Sequence, residues 1–105
     1  MDSWDLYIAK QQNENLIVVD GRSKVVFTKE HIPQSINLPH REICLSSVEH
    51  LDKTKIYVCY CDGIGCNAST KTAVKLLTLG FQVKELIGGL DWWKRDGYAT
   101  EGNEG

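Results

Sequence analysis

One stretch, from residue 55 to residue 81, most constrains what this chain of 105 residues can fold into. It begins with Ile56 to Tyr60, a run of apolar, β-branched and aromatic residues without alternation, which is typical of a strand covered on both faces. Gly63 and Gly65 then interrupt the strand. The apolar residues that follow recur at helical spacing: Ala73, Leu76, Leu77 and Phe81. The stretch therefore predicts a buried strand, a glycine-rich loop and a helix that Gly80 ends.

Cys61 opens this loop, at the point where the strand stops and the helix is about to begin. The first turn of a helix has backbone N–H groups without partners inside the helix, and the macrodipole adds partial positive charge there. We expect Gly63 or Gly65 to hold a positive φ, which would turn further N–H groups inward as a nest for an anion. A thiol in such a nest is favoured as the nucleophilic thiolate. The alternative is a buried structural cysteine, but the context favours a reactive one.

Composition and charge exclude several classes of function. Hydrophobic residues make up 42% of the chain and charged residues 25%, as in an ordinary globular protein. The net charge of −2 offers no basic field for nucleic acid or an anionic membrane surface. No apolar run approaches transmembrane length, and no signal peptide is visible at the start. We expect a cytoplasmic protein with a single domain over residues 1–98 and a flexible polar tail over residues 99–105.

The four cysteines do not follow the pattern of a disulfide framework or of a zinc site. Cys59 lies inside the apolar strand, and a chain of this size can build a core without disulfides. Cys59, Cys61 and Cys66 lack the paired C-x-x-C spacing that zinc sites use. We therefore expect no metal, and we interpret Cys44, in a connector, as a residue that fills space.

Helical and extended patterns alternate along the rest of the chain. A first helix is predicted with Ser3 as its N-cap, and a second over residues 24–30. The residues expected to turn inward from these two helices are Trp4, Tyr7, Ile8, Val26 and Phe27. Strands are predicted at residues 16–19, 35–38 and 83–87, and a C-terminal helix should bury Trp93 and expose Trp92. The alternation predicts an α/β fold, a mostly parallel sheet with helices on both faces.

Three segments resemble, in order, the motifs of rhodanese-like proteins. Residues 16–22 (LIVVDGR) resemble the apolar strand of that family, which ends in Asp-x-Arg. Residues 31–39 (HIPQSINLP) resemble its His-Ile-Pro-x-Ala-Ile-Asn-x-Pro segment, and residues 88–97 (GGLDWWKRDG) its closing Gly-Gly-x-x-x-Trp-x-x-x-Gly. Because these motifs surround the strand, cysteine and loop in the same order, the chain is identified by resemblance as a single-domain rhodanese-like protein.

The resemblance implies a sulfurtransferase that uses neither a cofactor nor a metal. Cys61 would attack a donor such as thiosulfate, a persulfide or a polysulfide, hold the outer sulfur as a persulfide, and pass it to a thiophilic acceptor. Donor and acceptor would be small molecules or proteins. Asp20 and Arg22 would be structural residues near the site. The loop residues whose backbone would bind the anion and the persulfide are Asp62, Gly63, Ile64, Gly65, Cys66 and Asn67.

The loop departs from the family in its charge. It contains no Arg or Lys, whereas many thiosulfate-using members carry a basic residue there. Asp62 instead adds negative charge beside the thiol, and the nearest basic side chain along the helix is Lys71. We therefore expect thiosulfate to be held poorly, a persulfide or polysulfide to be an alternative donor, and Asp62→Arg to improve the use of thiosulfate.

Cys66, in the same loop, leaves further functions open. If its Cβ vector converges with that of Cys61, the two cysteines can form a disulfide. Cys66 could then resolve a persulfide or sulfenic acid on Cys61, as in a thiol redox or persulfide-sensing protein. The alternative, which the sequence favours slightly, is that Cys66 packs under the helix start as a small apolar side chain. A non-catalytic interaction module is also compatible with the fold, although the presence of Cys61 argues against it.

Overall fold

The computed structural model describes residues 1–12, 15–63 and 66–103. Within them the strands are β1 (Leu16–Asp20), β2 (Ile36–Asn37), β3 (Ile56–Tyr60) and β4 (Gln82–Glu85). The helices are α1 (Ser3–Gln11), α2 (Lys24–Lys29), α3 (Leu45–Val48), α4 (Ala68–Thr78) and α5 (Gly89–Arg95), with a 3-10 helix at His40–Glu42. The sheet has the order β2–β1–β3–β4, and each pair of neighbours is parallel. No helix of the described residues is long and apolar enough to cross a membrane.

β3 separates two hydrophobic clusters, one on each face of the sheet. Val58 and Tyr60 belong to one cluster, and Tyr57 and Cys59 belong to the other. The first cluster includes residues of α1 and α5, namely Leu6, Leu90 and Trp93. The second includes residues of α3 and α4, namely Val48, Ala73 and Leu76. The predicted fold, a parallel α/β sheet covered by helices on both faces, is confirmed, and β3 is buried on both sides as its continuous apolar run indicates.

The end of α4 follows the glycine stop that the sequence predicts. Gly80 has a φ of +96°. Its N–H donates to the Leu77 carbonyl oxygen at 3.0 Å, and the N–H of Phe81 donates to the Leu76 carbonyl oxygen at 3.1 Å. This pair of bonds is a Schellman motif, which reverses the chain and returns Phe81 to the core.

Leu77, predicted to be a core residue, is exposed. The inward face of α4 is rotated away from it and contains the buried residues Ser69, Thr72, Ala73 and Leu76. Thr72 can occupy this face because its hydroxyl donates to the Leu38 carbonyl oxygen at 3.0 Å. The pattern of apolar residues alone therefore misplaces the inward face of α4, because a threonine whose hydroxyl is hydrogen-bonded occupies a position where a hydrophobic residue is expected.

Two predictions about α1 are wrong. Asp2, not Ser3, is the N-cap: its carboxylate accepts a hydrogen bond from the Asp5 N–H at 2.8 Å, and the Asp5 carboxylate accepts one from the Asp2 N–H at 3.3 Å. Ser3 is buried instead, and its hydroxyl donates to the Asp96 carboxylate. Trp4 is exposed rather than inward, because α1 buries another set of positions: Ser3, Leu6 and Ala9. In α2, Val26 is likewise exposed, and Phe27 is only half-buried.

The C-terminal segment is attached to the rest of the protein. As predicted, α5 buries Trp93 and exposes Trp92. Residues 99–103, predicted to belong to a flexible tail, make hydrogen bonds instead: Trp93 Nε1 donates to the Ala99 carbonyl oxygen at 2.8 Å, and His31 and Glu101 exchange two backbone bonds at 2.8 and 2.9 Å. These partners are distant in sequence, so local polarity gives no sign of the contacts. The rest of that prediction, for residues 104–105, lies outside the described residues.

Candidate active site

Parallel pairing brings the candidate site residues to one edge of the sheet. Asp20, the last residue of β1, pairs with Tyr60, the last residue of β3. Cys61 comes directly after Tyr60, and therefore lies beside the end of β1. The N–H of Gly21 donates to the Tyr60 carbonyl oxygen at 2.9 Å and joins the two strand ends. This is the carboxyl edge of the sheet, where ligands gather in parallel α/β folds.

Arg22 connects three segments at this edge. Its Nε and Nη2 atoms donate to the Asp20 carboxylate at 2.7 to 3.1 Å, and the two side chains are 6% and 0% exposed. Nη1 donates to the Asp62 carboxylate at 2.8 Å, and Nη2 donates to the Glu30 carbonyl oxygen at 2.5 Å. Burial on its own lowers the pKa of Arg22, but the hydrogen bonds and charge of Asp20, with the hydrogen bond of Asp62, raise it overall. The guanidinium thus holds the cysteine loop against the ends of β1 and α2.

The contact with Arg22 changes the interpretation of Asp62. As the sequence predicts, its carboxylate lies beside the sulfur atoms, within 4.8 Å of Cys61 Sγ and Cys66 Sγ, but it also accepts a hydrogen bond from Arg22, which the sequence does not predict. Asp62→Arg would place a second guanidinium beside the first, and like charges at close range repel. The gain in thiosulfate use expected from that variant therefore no longer follows, since the substitution also removes a contact that holds the loop.

α5 supports the cysteine loop from its other side. The N–H of Leu90 donates to the Cys61 carbonyl oxygen at 2.9 Å, and the N–H of Asp91 donates to the Asp62 carbonyl oxygen at 2.7 Å. These amides lie in the first turn of α5, where N–H groups have no partner inside the helix. The backbone at Cys61 is therefore fixed by a helix end, and the Cys61 side chain is only 3% exposed.

Cys61 and Cys66 form a disulfide across the loop, with their Cα atoms 6.3 Å apart. The alternative in which Cys66 only packs under the start of α4 is therefore wrong: it is half-buried and bonded to Cys61. The two sulfur atoms and a carboxylate oxygen of Asp62 lie within 4.8 Å of one another. In the disulfide neither sulfur is a thiolate, which is the form that binds metals.

A basic cavity adjoins the start of α4. Its volume is about 330 Å³, and it is lined by residues of three segments, among them Gly21, Arg22, Lys24, His40, Arg41, Glu42 and Ala68. Desolvation, and then the positive charges of Lys71, Lys75 and Arg41, lower the pKa of His40. The cysteine loop itself carries no basic residue, but basic side chains from other segments, such as Lys24 and Arg41, lie near the start of α4 where the loop ends. These residues are far apart in the sequence, so the sequence alone does not predict the cluster.

The sequence profile of the rhodanese-like domain matches residues 3–96 of this chain. The chain belongs to the rhodanese-like domain family. It is 31% identical to the thiosulfate sulfurtransferase GlpE of Pseudomonas savastanoi pv. phaseolicola, over 79% of this chain and 76% of that protein.

Solved structures of similar proteins share the fold. The BH2092 protein of Bacillus halodurans superposes with a TM-score of 0.96 at 40% identity, covering 100% of this chain and 77% of that one. The rhodanese-like domain of the Anabaena Alr3790 protein gives a TM-score of 0.84 at 26% identity, over 99% of this chain and 79% of that one. The fold predicted from the sequence motifs is therefore that of rhodanese-like proteins.

Of the two loop glycines predicted to hold a positive φ, Gly63 lies within the described residues. Gly63 does not adopt the left-handed backbone that we expected of it or of Gly65. Its carbonyl oxygen accepts a hydrogen bond from the Cys66 N–H at 3.2 Å. Ile64 and Gly65 lie outside the described residues. The left-handed glycines that contact the loop belong to the start of α5 instead: Gly88 has a φ of +80°, and Gly89 has a φ of +57°.

Gly89→Ala should disturb Cys61 directly. A Cβ at this position would collide with the Cys61 carbonyl oxygen and lie 3.0 Å from its carbonyl carbon, in a backbone conformation that alanine adopts with strain. We expect the variant to lose about 2 kcal/mol or more of unfolding free energy and to react more slowly with a sulfur donor at Cys61. Urea denaturation and the rate of persulfide formation measure the two effects.

Gly97→Ala is the matched control for this prediction. Gly97 has a similarly positive φ of +87°, but an added Cβ would meet nothing within 4 Å. It should cost only the strain of the left-handed backbone, about 1 kcal/mol, and leave the reactivity of Cys61 unchanged. Equal rates of persulfide formation in Gly89→Ala and wild type would show that α5 does not set the position of Cys61.

Cys44 is not the space-filling residue that the sequence suggested, because it is exposed at the N-cap of α3. Its Sγ atom lies 3.2 Å from Ser46 Oγ, and hydrogen bonds from Ser46 and then Ser47 lower its pKa to about 7.

The alkylation rate of Cys44 in the reduced protein should therefore rise with pH around a midpoint near 7, and Ser46→Ala should move that midpoint upward. Peptide mapping after timed iodoacetamide treatment checks this. Buried Cys59, whose pKa burial raises to about 12, should stay unlabelled, and an unmoved midpoint in Ser46→Ala would refute the assignment.

Proposed function

We propose that this protein is a sulfurtransferase of the rhodanese type, with Cys61 as the residue that carries the sulfur. The observation that carries the proposal is the position of the Cys61 sulfur. It lies at the carboxyl edge of the sheet, directly after β3, and a second sulfur atom is bonded to it in the loop. The loop therefore has room for the sulfur–sulfur bond that a Cys61 persulfide requires.

The reaction has two displacement steps. In the first, the Cys61 thiolate attacks the sulfane sulfur of the donor, the sulfur–sulfur bond of the donor breaks, and the remainder leaves with the electron pair. With thiosulfate the leaving group is sulfite, and with a polysulfide it is the shortened chain. In the second step a nucleophilic acceptor attacks the outer sulfur of the persulfide and releases Cys61 as thiolate.

The charges around the loop suit this chemistry. Arg22 is shared between the Asp20 and Asp62 carboxylates, so it offsets only part of the negative charge of Asp62 beside the nucleophile. Lys24, Arg41 and Lys71 belong to the cluster around the basic cavity, which attracts an anionic donor toward the start of α4. Among the described residues, the Asn67 side chain makes no capping bond to α4, which leaves the amides of its first turn for an anion. Thiosulfate, the substrate named for the Pseudomonas relative, is therefore a donor worth testing beside persulfides, in the cytoplasm that the sequence favours.

The test is to find the added sulfur by mass spectrometry. Reduced protein is exposed separately to thiosulfate and to glutathione persulfide, then quenched in acid and digested. The Cys66→Ser variant is included because it removes the second thiol of the loop. We expect one added sulfur atom on the Cys61 peptide of that variant with at least one donor.

Cys44→Ser serves as the control, because Cys44 is the exposed thiol and is most open to incidental reaction. Sulfur added to Cys44 alone, or to no cysteine with either donor, would overturn the proposed function. The control is also combined with Cys66→Ser in a double variant. Sulfur on Cys61 in both Cys66→Ser and Cys44→Ser/Cys66→Ser supports the proposal, because the double variant has neither Cys44 nor Cys66 to carry the added mass.

A further inference from the structure

We propose that the protein also reduces sulfane sulfur: Cys66 resolves the Cys61 persulfide, releases its outer sulfur as sulfide and closes the Cys61–Cys66 disulfide. This inference rests on the proposed function, because it begins with the persulfide on Cys61. It goes beyond that function because the sulfur leaves as sulfide without an external acceptor. The structure supports it through the disulfide itself, which shows that the loop allows the two sulfur atoms to meet.

Geometry favours the internal thiol over an external one. The Cα atoms of Cys61 and Cys66 are 6.3 Å apart in the disulfide, and only four residues separate them in sequence. The Cys66 N–H donates to the Gly63 carbonyl oxygen at 3.2 Å, and this bond holds Cys66 close to the first residues of the loop that follow Cys61. An external thiol must instead reach a side chain that is 3% exposed. A reaction within one loop also avoids the entropy cost of bringing two molecules together.

The resolving step balances without an added oxidant. Cys66, as thiolate, attacks the inner sulfur of the persulfide, which is Cys61 Sγ. The bond between Cys61 Sγ and the outer sulfur breaks, and the outer sulfur leaves as hydrosulfide with the electron pair. One Cys61–Cys66 bond replaces the persulfide bond, and the two cysteines have supplied the two electrons that reduce the sulfane sulfur to sulfide.

A second cycle requires a dithiol reductant, which must open the disulfide by attacking one of its two sulfurs. Cys66 is half-buried, whereas Cys61 is buried under α5. Attack therefore falls on Cys66, forms a mixed disulfide there and releases Cys61 as thiolate. The nucleophile is thereby restored first, while the reductant completes its own disulfide and frees Cys66.

A single-turnover experiment with thiosulfate separates the two activities, because the first step yields sulfite and the second yields sulfide. Reduced wild-type protein, freed of reductant, is mixed with excess thiosulfate or, in a parallel sample, with glutathione persulfide. We expect about one sulfide per protein chain and the loss of two hydrogen atoms from a linked Cys61–Cys66 peptide. Cys66→Ser should keep the added sulfur on Cys61 and release sulfide at least about tenfold less. Cys44→Ser, in which both loop cysteines remain, should behave as the wild type does.

The outcomes distinguish this inference from the proposed function. A stable persulfide on Cys61 in the wild type, with no sulfide, would overturn the inference and leave the sulfurtransferase in place. Equal sulfide release from wild type and Cys66→Ser would also overturn it. If neither the wild type nor Cys66→Ser gains sulfur or releases sulfide with either donor, both proposals fail.

The entry point of the reductant is tested on the disulfide form. Treatment with glutathione, followed by rapid acid quench and alkylation, should place the mixed disulfide on Cys66 and the alkyl group on Cys61, by about tenfold over the reverse pattern. A mixed disulfide mainly on Cys61 would overturn the order assigned to the reopening step.

Discussion

We expect Cys61→Ser to lower the transfer of sulfur from thiosulfate or glutathione persulfide to cyanide by about a thousandfold or more, with the fold intact. The serine hydroxyl is nearly isosteric with the thiol, but it is a far weaker nucleophile at neutral pH. The Cys61 side chain is buried, so a substitution of similar volume should keep the hydrogen bond from the Leu90 N–H to the carbonyl oxygen of residue 61. Thiocyanate formation measures activity, and thermal melts of the reduced proteins show whether the fold persists.

Cys66→Ser is the informative companion to this variant. If Cys66 consumes the persulfide internally, its removal should raise the yield of thiocyanate and lower the yield of sulfide, so the two products move in opposite directions. Retained thiocyanate formation in Cys61→Ser together with its loss in Cys66→Ser would mean that the nucleophile has been assigned to the wrong cysteine.

The predictions from sequence succeed where a single segment decides the outcome. The unbroken apolar run of β3 can be buried only between two layers, and Gly80 ends α4 because a glycine tolerates the left-handed backbone there. Trp92 and Trp93 are adjacent on a helix, so one of them must face outward. In each case the structural outcome depends on a few neighbouring residues, so the local sequence pattern is enough to predict it.

The predictions fail where distant segments decide the outcome. Leu77 is exposed because Thr72 finds a partner in Leu38, on another segment. The charge of Asp62 is paired because Arg22, 40 positions earlier, reaches across the sheet edge. The basic cavity forms because the loops after β1 and β2 meet the start of α4. Pairing of this kind depends on the register of the parallel strands, which the sequence of one segment does not specify.

Arg22→Met should destabilise the protein by about 3–5 kcal/mol. The Asp20 carboxylate is completely buried, and its contacts with Arg22 at 2.7 to 3.1 Å compensate for the loss of water. Methionine fills a similar volume but leaves that carboxylate without its cationic partner, and an uncompensated buried charge is costly. Urea denaturation of the reduced proteins measures the change, and a loss below about 1 kcal/mol would show that the ion pair is not what holds this edge.

Asp62→Asn is the matched control for Arg22→Met, because it affects the same guanidinium at its exposed end. Asp62 is 67% exposed, so its contact with Arg22 is screened by water and should contribute no more than about 1 kcal/mol.

The double variant Asp20→Asn/Arg22→Met should regain part of the stability lost by Arg22→Met alone, because it no longer buries an unpaired carboxylate. Arg22→Met and the double variant should both form the Cys61 persulfide more slowly than the wild type does, since both lack the guanidinium that joins the cysteine loop to β1 and α2. Recovery of stability without recovery of that rate would separate the role of Arg22 in positioning the loop from its role in the fold.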